Sequence, residues 1–242
     1  MKNPAIVLMT RVPVPGRTKT RLMTKMSGLE CAAFHLACLG DLCAVLAPLE
    51  IELYLYYTGG SPDFFKQEKL DEFGVPSFNT AEVEYLINNN FILCPQEGLD
   101  LGERLYNAAC RVLKAHDRVI LIGSDLPDLS GSFFRDSLRS LDYADVTIGP
   151  ASDGGYYLIG LKQACQPLFS AIPWGTQDVL EMTLKAARQN DLSVHLLPCK
   201  DDIDTWEDLV EFYNKASARG GEQTLASRSF RYAEAMVQKY IK

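Results

Sequence analysis

A chain of 242 residues with 47% hydrophobic and 23% charged side chains carries enough apolar material for one sizeable core without staples. Its formal net charge of −7 excludes the basic stripe a nucleic-acid surface needs, and no apolar run is read as long enough for a secretory leader or a membrane span. Seven cysteines without a C-x-x-C pair fit neither a disulfide framework nor a zinc site, so reduced core thiols in a cytoplasmic protein are expected.

Short β-rich runs alternate with helical patterns along the chain. Strands are expected at 5–9, 51–57, 91–94, 118–123, 145–150, 156–161 and 193–198. Most are continuous apolar segments, as in a parallel sheet covered on both faces. Helical spacing covers Leu29–Leu46, 101–113, Phe133–Leu141, Val179–Ala187 and Trp206–Tyr213, with a C-terminal helix at about 222–242. Thr58 to Asn90, rich in Gly, Pro and Asn, is expected as a surface excursion with one or two short helices. This alternation predicts an α/β fold: three layers, doubly wound, with a mostly parallel sheet, in a single domain spanning 1–242.

The first strand runs into Thr10-Arg11-Val12-Pro13-Val14-Pro15-Gly16-Arg17-Thr18-Lys19-Thr20-Arg21, a basic loop in an acidic chain. Pro13 and Pro15 stiffen it, and Gly16 lets backbone approach a ligand. Arg11, Arg17, Lys19 and Arg21 supply charge for phosphate oxygens. A loop at the carboxyl end of a strand is where α/β sheets bind ligands. The plain alternative is a solvated basic loop. Neither the G-x-x-x-x-G-K-[ST] cradle nor a G-x-G-x-x-G follows any strand, which argues against P-loop kinases and dinucleotide cofactors.

Gly123-Ser124-Asp125-Leu126-Pro127-Asp128 ends an apolar strand, so Asp125 emerges at the ligand-binding edge. It suits magnesium or manganese, whose shells phosphate oxygens and water complete. An aspartate before a turn is the competing reading. Asp153-Gly154-Gly155 lies between two strands, as a hairpin turn or as a close approach to substrate. In Asp202-Ile203-Asp204-Thr205-Trp206-Glu207-Asp208, Thr205 and Asp208 form a helix-capping pair, leaving Asp202 and Asp204 free.

Six segments in order, P-V-P-G-R-T-K-T-R-L (13–22), L-G-E-R-L (101–105), G-S-D-L-P-D-L (123–129), G-P-A-S-D-G-G-Y-Y-L-I-G-L (149–161), I-P-W-G-T (172–176) and D-I-D-T-W-E-D-L (202–209), carry a resemblance over about residues 5–210. The chain resembles the uncharacterised nucleotide-diphospho-sugar transferase-like family, sometimes called glycosyltransferases, related to 2-phospholactate guanylyltransferases. That resemblance implies a glycosyltransferase A-type fold, a nucleotide on the first-strand loop, and a divalent metal on Asp125 with Asp204 as second carboxylate. Trp206 stands where related segments often have proline, and Gly123-Ser124-Asp125 is not a full D-x-D.

Two reactions use these parts. In glycosyl transfer, narrowly preferred, Mg2+ or Mn2+ and the loop cations hold a nucleotide-diphospho-sugar while Asp125, Lys19 and Asp153 act at the reacting centre. Gly154, Gly155, Trp174 and Thr176 then meet a small-molecule acceptor, with Asp153 as base. In nucleotidyl transfer a phosphorylated acceptor attacks a nucleoside triphosphate and pyrophosphate leaves. A non-catalytic nucleotide-binding module is the third possibility. His35, His116 and His195 are given no role.

Overall fold

In the computed structural model, which describes residues 3–66, 80–220 and 225–241, seven strands form one sheet. They are β1 (Ala5–Arg11), β2 (Glu52–Thr58), β3 (Phe91–Pro95), β4 (Val119–Gly123), β5 (Val146–Pro150), β6 (Tyr156–Leu161) and β7 (Val194–Leu196). The order is β3-β2-β1-β4-β6-β5-β7, with only β6 antiparallel to its neighbours. The chain leaves β1 toward β2 and β3, then returns to place β4 on the other side of β1. This reversal opens a crevice at the carboxyl ends of β1 and β4.

The described residues form seven α-helices: α1 (Gly28–Leu46), α2 (Thr80–Asn90), α3 (Leu101–Val112), α4 (Gly131–Ser140), α5 (Val179–Gln189), α6 (Trp206–Ala218) and α7 (Ser227–Tyr240). Alternate residues along β1 divide between two cores. Ile6 and Leu8 pack with α1, α2 and α4, whereas Ala5, Val7 and Met9 pack with α3 and α5. A third core lies between α1 and the pair α6 and α7, around Phe34, Trp206 and Tyr232.

Helix α1 is therefore covered on two sides, which explains why it is apolar nearly all round. With the turn after it, Gly28–Leu49 is the one helix among the described residues long and apolar enough to cross a membrane, correcting the expectation that no run reaches that length. Its most apolar stretch is 78% buried within the protein, as a core helix is. Ser27 starts it with a capping box, accepting from the Glu30 N–H while the Glu30 carboxylate accepts from the Ser27 N–H.

The expected surface excursion is corrected at its end. Helix α2 buries Val83 and Ile87 against α1, and Phe65 is buried as well, so apolar i, i+4 spacing there outweighed the turn-rich composition; residues 67–79 lie outside the described residues. Of the seven cysteines, Cys31, Cys38, Cys43 and Cys94 are buried, but Cys199 is exposed, contrary to the expectation of core thiols.

Candidate functional site

The basic loop after β1 is folded on itself. The Thr18 hydroxyl donates to the Val12 carbonyl at 3.0 Å, and the Val12 N–H donates to Thr58 on β2 at 2.8 Å. Pro15 and Gly16 form the exposed tip, outside the cavity wall. Gly16 has φ of 76°, and its backbone lies so close to Gly28 that a Cβ at Gly28 would come within 2.6 Å of the Gly16 nitrogen. The loop is thus pinned to the start of α1.

Lys19 is the hinge of the site. Its backbone is left-handed, at φ 52°, a conformation costing a non-glycine residue about 1–2 kcal/mol. Its side chain is only 3% exposed, and its ammonium lies 2.5 Å from Asp125 Oδ1 and 3.7 Å from Asp204 Oδ1. It also donates to the Ile203 carbonyl at 2.5 Å. Arg21 reaches the other Asp204 oxygen at 3.3 Å. The Ile203 N–H donates to the Asp125 carbonyl at 3.2 Å, which ties the 199–205 segment to the end of β4.

Burial opposes ionisation of Asp125, but Lys19, with His35 and Arg11, outweighs it and holds the carboxyl below its ordinary range. Burial likewise works against the Lys19 ammonium, and the two carboxylates more than offset it. Asp202 has no cation in contact among the described residues; burial first, then the charges of Asp125 and Asp204, push it up to about 7.

Beneath the pair lies a polar network that sequence reasoning passed over. His35 Nε2 is 3.0 Å from both the Thr10 hydroxyl and the Arg11 carbonyl, and Thr10 is 3.1 Å from the Ser124 hydroxyl. His35 Nδ1 is buried without a hydrogen-bond partner, 3.9 Å from Asp125. Burial holds the ring below its ordinary pKa. His35 sits at apolar spacing in α1, which is why its sequence position gave no signal.

These groups line a cavity of about 540 Å3. Arg11, Arg17, Lys19 and Arg21 meet Asp125 and Asp204 there. Gln96 and Arg104 join them without having been singled out. Gln96 donates to the Thr10 and Tyr56 carbonyls at 3.0 and 2.9 Å, bridging β1 and β2, and Arg104 donates to Gly98 at 3.1 Å. Arg104 belongs to the L-G-E-R-L segment, which was its available signal.

The remaining predicted residues separate. Asp153 is exposed at the β5–β6 turn, accepts from the Gly155 N–H at 2.9 Å and lines neither the large cavity nor the one beside it. Gly154 has φ of 88°, and a Cβ there would collide with the Gln177 carbonyl, so it serves the turn. The Thr176 hydroxyl donates to the Pro173 carbonyl at 2.8 Å, away from both cavities. Asp153, Gly154, Gly155 and Thr176 thus serve hairpin and turn geometry, and none of the four lines either cavity. Trp174 lines a second cavity, one of about 130 Å3.

Could the residues hold a divalent metal? Asp125 and Asp204 already share one cation, the Lys19 ammonium, and present oxygen donors to an open cavity. Two carboxylates suit magnesium or manganese, provided phosphate and water fill the remaining positions. Among the described residues no group of three or more His, Cys, Asp or Glu gathers as a complete protein cage. The donor set fits a metal that arrives with a phosphate ligand.

Comparison places this geometry. A protein from Desulfovibrio desulfuricans G20, described provisionally as a nucleotide-diphospho-sugar transferase, is 31% identical over 99% of both chains with a TM-score of 0.82. A cytidylyltransferase from Leptospira borgpetersenii serovar Hardjo-bovis shares 14% identity over 99% of this chain and 95% of its own, with a TM-score of 0.52. The 4-diphosphocytidyl-2C-methyl-D-erythritol synthase of Anaerococcus prevotii shares 10% over 90% and 99%, with a TM-score of 0.53. At those identities the last two speak to fold alone. No match was found among curated proteins. The fold is that of the nucleotide-diphospho-sugar transferases, a transferase fold. Within that class the chain belongs to the family described as uncharacterized proteins conserved in bacteria (DUF2064), whose model matches residues 43–176.

Proposed function

We propose that this chain transfers a sugar from a nucleotide-diphospho-sugar to a small-molecule acceptor, with Mg2+ or Mn2+ on Asp125 and Asp204. One observation carries the reading: two carboxylates share a buried ammonium in a cavity walled by Arg11, Arg17, Arg21 and Arg104. Carboxylates and cations so interleaved fit a diphosphate that comes with its own divalent ion.

When bound, the metal supplies positive charge to the leaving diphosphate. Arg17 and Arg21, exposed on the cavity wall, clamp phosphate oxygens. Lys19, once its carboxylates have another cation, is free to turn its ammonium to the phosphates. His35, Thr10 and Ser124 hold the ends of β1 and β4 in register beneath them. Asp202, which lines the smaller cavity as the turn-bound Asp153 does not, is the better placed group to meet an acceptor hydroxyl.

A second reading, nucleotidyl transfer from a nucleoside triphosphate, is favoured by the cation density of the loop. Thermal stabilisation against nucleotide sugars, nucleoside diphosphates and triphosphates, each with and without Mn2+, separates them. A ligand at 100 times its Kd adds about 2.7 kcal/mol. Metal-dependent stabilisation by one nucleotide sugar above its triphosphate supports sugar transfer; the reverse order supports nucleotidyl transfer. Binding of the preferred nucleotide with Mn2+ that survives Asp125→Ala unchanged refutes the metal assignment.

A further inference from the structure

We propose that the smaller cavity beside the site is an acceptor subsite for an uncharged molecule, one presenting a hydroxyl on a compact apolar or ring-shaped body. The proposal rests on the transfer reading and names the acceptor class for it. In the transfer, the acceptor oxygen bonds to the anomeric carbon, and the bond from that carbon to the phosphate oxygen breaks. Its electron pair stays on the nucleoside diphosphate, and the hydroxyl proton leaves to water.

The two cavities adjoin and differ sharply in charge. They share Met9, Leu101 and Gly123 in their walls. Four arginines and Lys19 line the large one, whereas among the described residues no lysine or arginine lines the small one, whose one charged wall residue there is Asp202. A phosphate or carboxylate entering the small cavity would lose its hydration, find no cation, and face a carboxylate. A hydroxyl has the opposite experience, because Asp202 accepts its hydrogen bond.

Shape agrees with charge. At about 130 Å3 the cavity admits a single ring or a short polyol. Tyr156 and Trp174 stand edge to face, with centroids 5.9 Å apart at 76°, and give it an aromatic wall of the kind that packs on the C–H face of a ring. Gly123 makes the passage. As the last residue of β4 it occupies the sheet face of Val119 and Leu121, and a Cβ built on it meets nothing within 4 Å. The opening between donor and acceptor spaces exists because that position carries no side chain.

A matched pair of probes, benzyl alcohol and benzyl phosphate, tests the assignment. The chain has two tryptophans, so Trp206→Phe leaves Trp174 as the only one and its fluorescence as the reporter. Saturable quenching by benzyl alcohol, with benzyl phosphate at least tenfold weaker, is expected, and Gly123→Val should weaken the alcohol at least tenfold. If Trp206→Phe does not fold, the wild-type chain serves, because Trp206 is buried in the separate core beside α1. Equal or tighter binding of benzyl phosphate, a response that does not saturate, or one indifferent to Gly123→Val overturns the proposal. The nucleotide panel is run separately: if no nucleotide binds while benzyl alcohol still does, the transfer reading falls and the neutral-ligand cavity stands.

Discussion

Replacing Lys19 with methionine keeps the length of the side chain and removes the cation that Asp125 and Asp204 share. Deleting one partner of a buried ion pair costs about 3–5 kcal/mol. The Asp125 side chain retains 36% exposure, and Arg21 still reaches Asp204, so solvent and a neighbour absorb part of the loss. A fall in stability of about 2 kcal/mol is therefore expected. The same imbalance must strengthen metal binding. In the wild type a divalent ion has to displace a buried ammonium that would be left with the neutral Ile203 carbonyl in place of two carboxylates, so metal alone binds weakly. A nucleoside diphosphate offers Lys19 a new partner, and metal and nucleotide should each tighten the other by an equal factor. In Lys19→Met the metal meets two carboxylates without competition, and its affinity without nucleotide should rise about tenfold, equivalent to about 1.4 kcal/mol. Calorimetric titration of Mn2+ into both proteins, with and without a nucleoside diphosphate, reads all three quantities. Manganese affinity that is unchanged or weaker in Lys19→Met would refute the reasoning, since Lys19 would then not occupy the place of the metal.

Asp202 gives a pH signature. Its carboxyl titrates near 7 in the fold against an ordinary value of 3.8, so between those values the folded state binds more protons and stability falls as pH rises. Asp202→Asn removes a penalty absent at low pH and complete above 7, at most about 4 kcal/mol; urea melts should show the variant gaining on wild type from pH 5 to 8, and a constant difference contradicts this. Asp41, fully buried in α1, accepts from the N–H and hydroxyl of Ser229 at 2.8 and 2.7 Å and from the Arg228 N–H at 3.1 Å, and so anchors α7. Asp41→Ala should cost about 3–5 kcal/mol in urea melts; Glu82→Ala, at the exposed end of Arg228, should cost under about 1 kcal/mol. Gly154→Ala should lower stability by about 1–3 kcal/mol with nucleotide affinity unchanged; a selective loss of nucleotide affinity would return the turn to the binding site.

The sheet was legible because its strands are apolar runs of strand length, and their covering helices repeat at 3.6 residues; both signals are local. The order of the strands was not legible as an address for the site. That β4 lies directly beside β1 is a fact of pairing, and it is this adjacency that sets Asp125 against Lys19. Local chemistry did mark both residues, since each follows an apolar strand and carries a charge that a strand end does not need. It was ambiguous at Asp153, Gly154, Gly155 and Thr176, where residues suited to ligands are equally suited to turns, and the backbone uses them there.

His35 and Gly123 failed for the opposite reason. His35 occupies a helix position that apolar spacing would fill with leucine, and only the placement of Thr10, Ser124 and Asp125 around it shows a polar cluster under the site. Gly123 contributes by having no side chain, and a missing Cβ acquires meaning only when the space in front of it is known. Groups that act through charge announce themselves along the chain. Groups that act by filling or leaving space become visible only once neighbours distant in sequence are brought around them, and in this protein the acceptor side is built mainly of that second kind. The donor side can therefore be probed by removing charges, whereas the acceptor side calls for changes in volume, with Gly123→Val as the first.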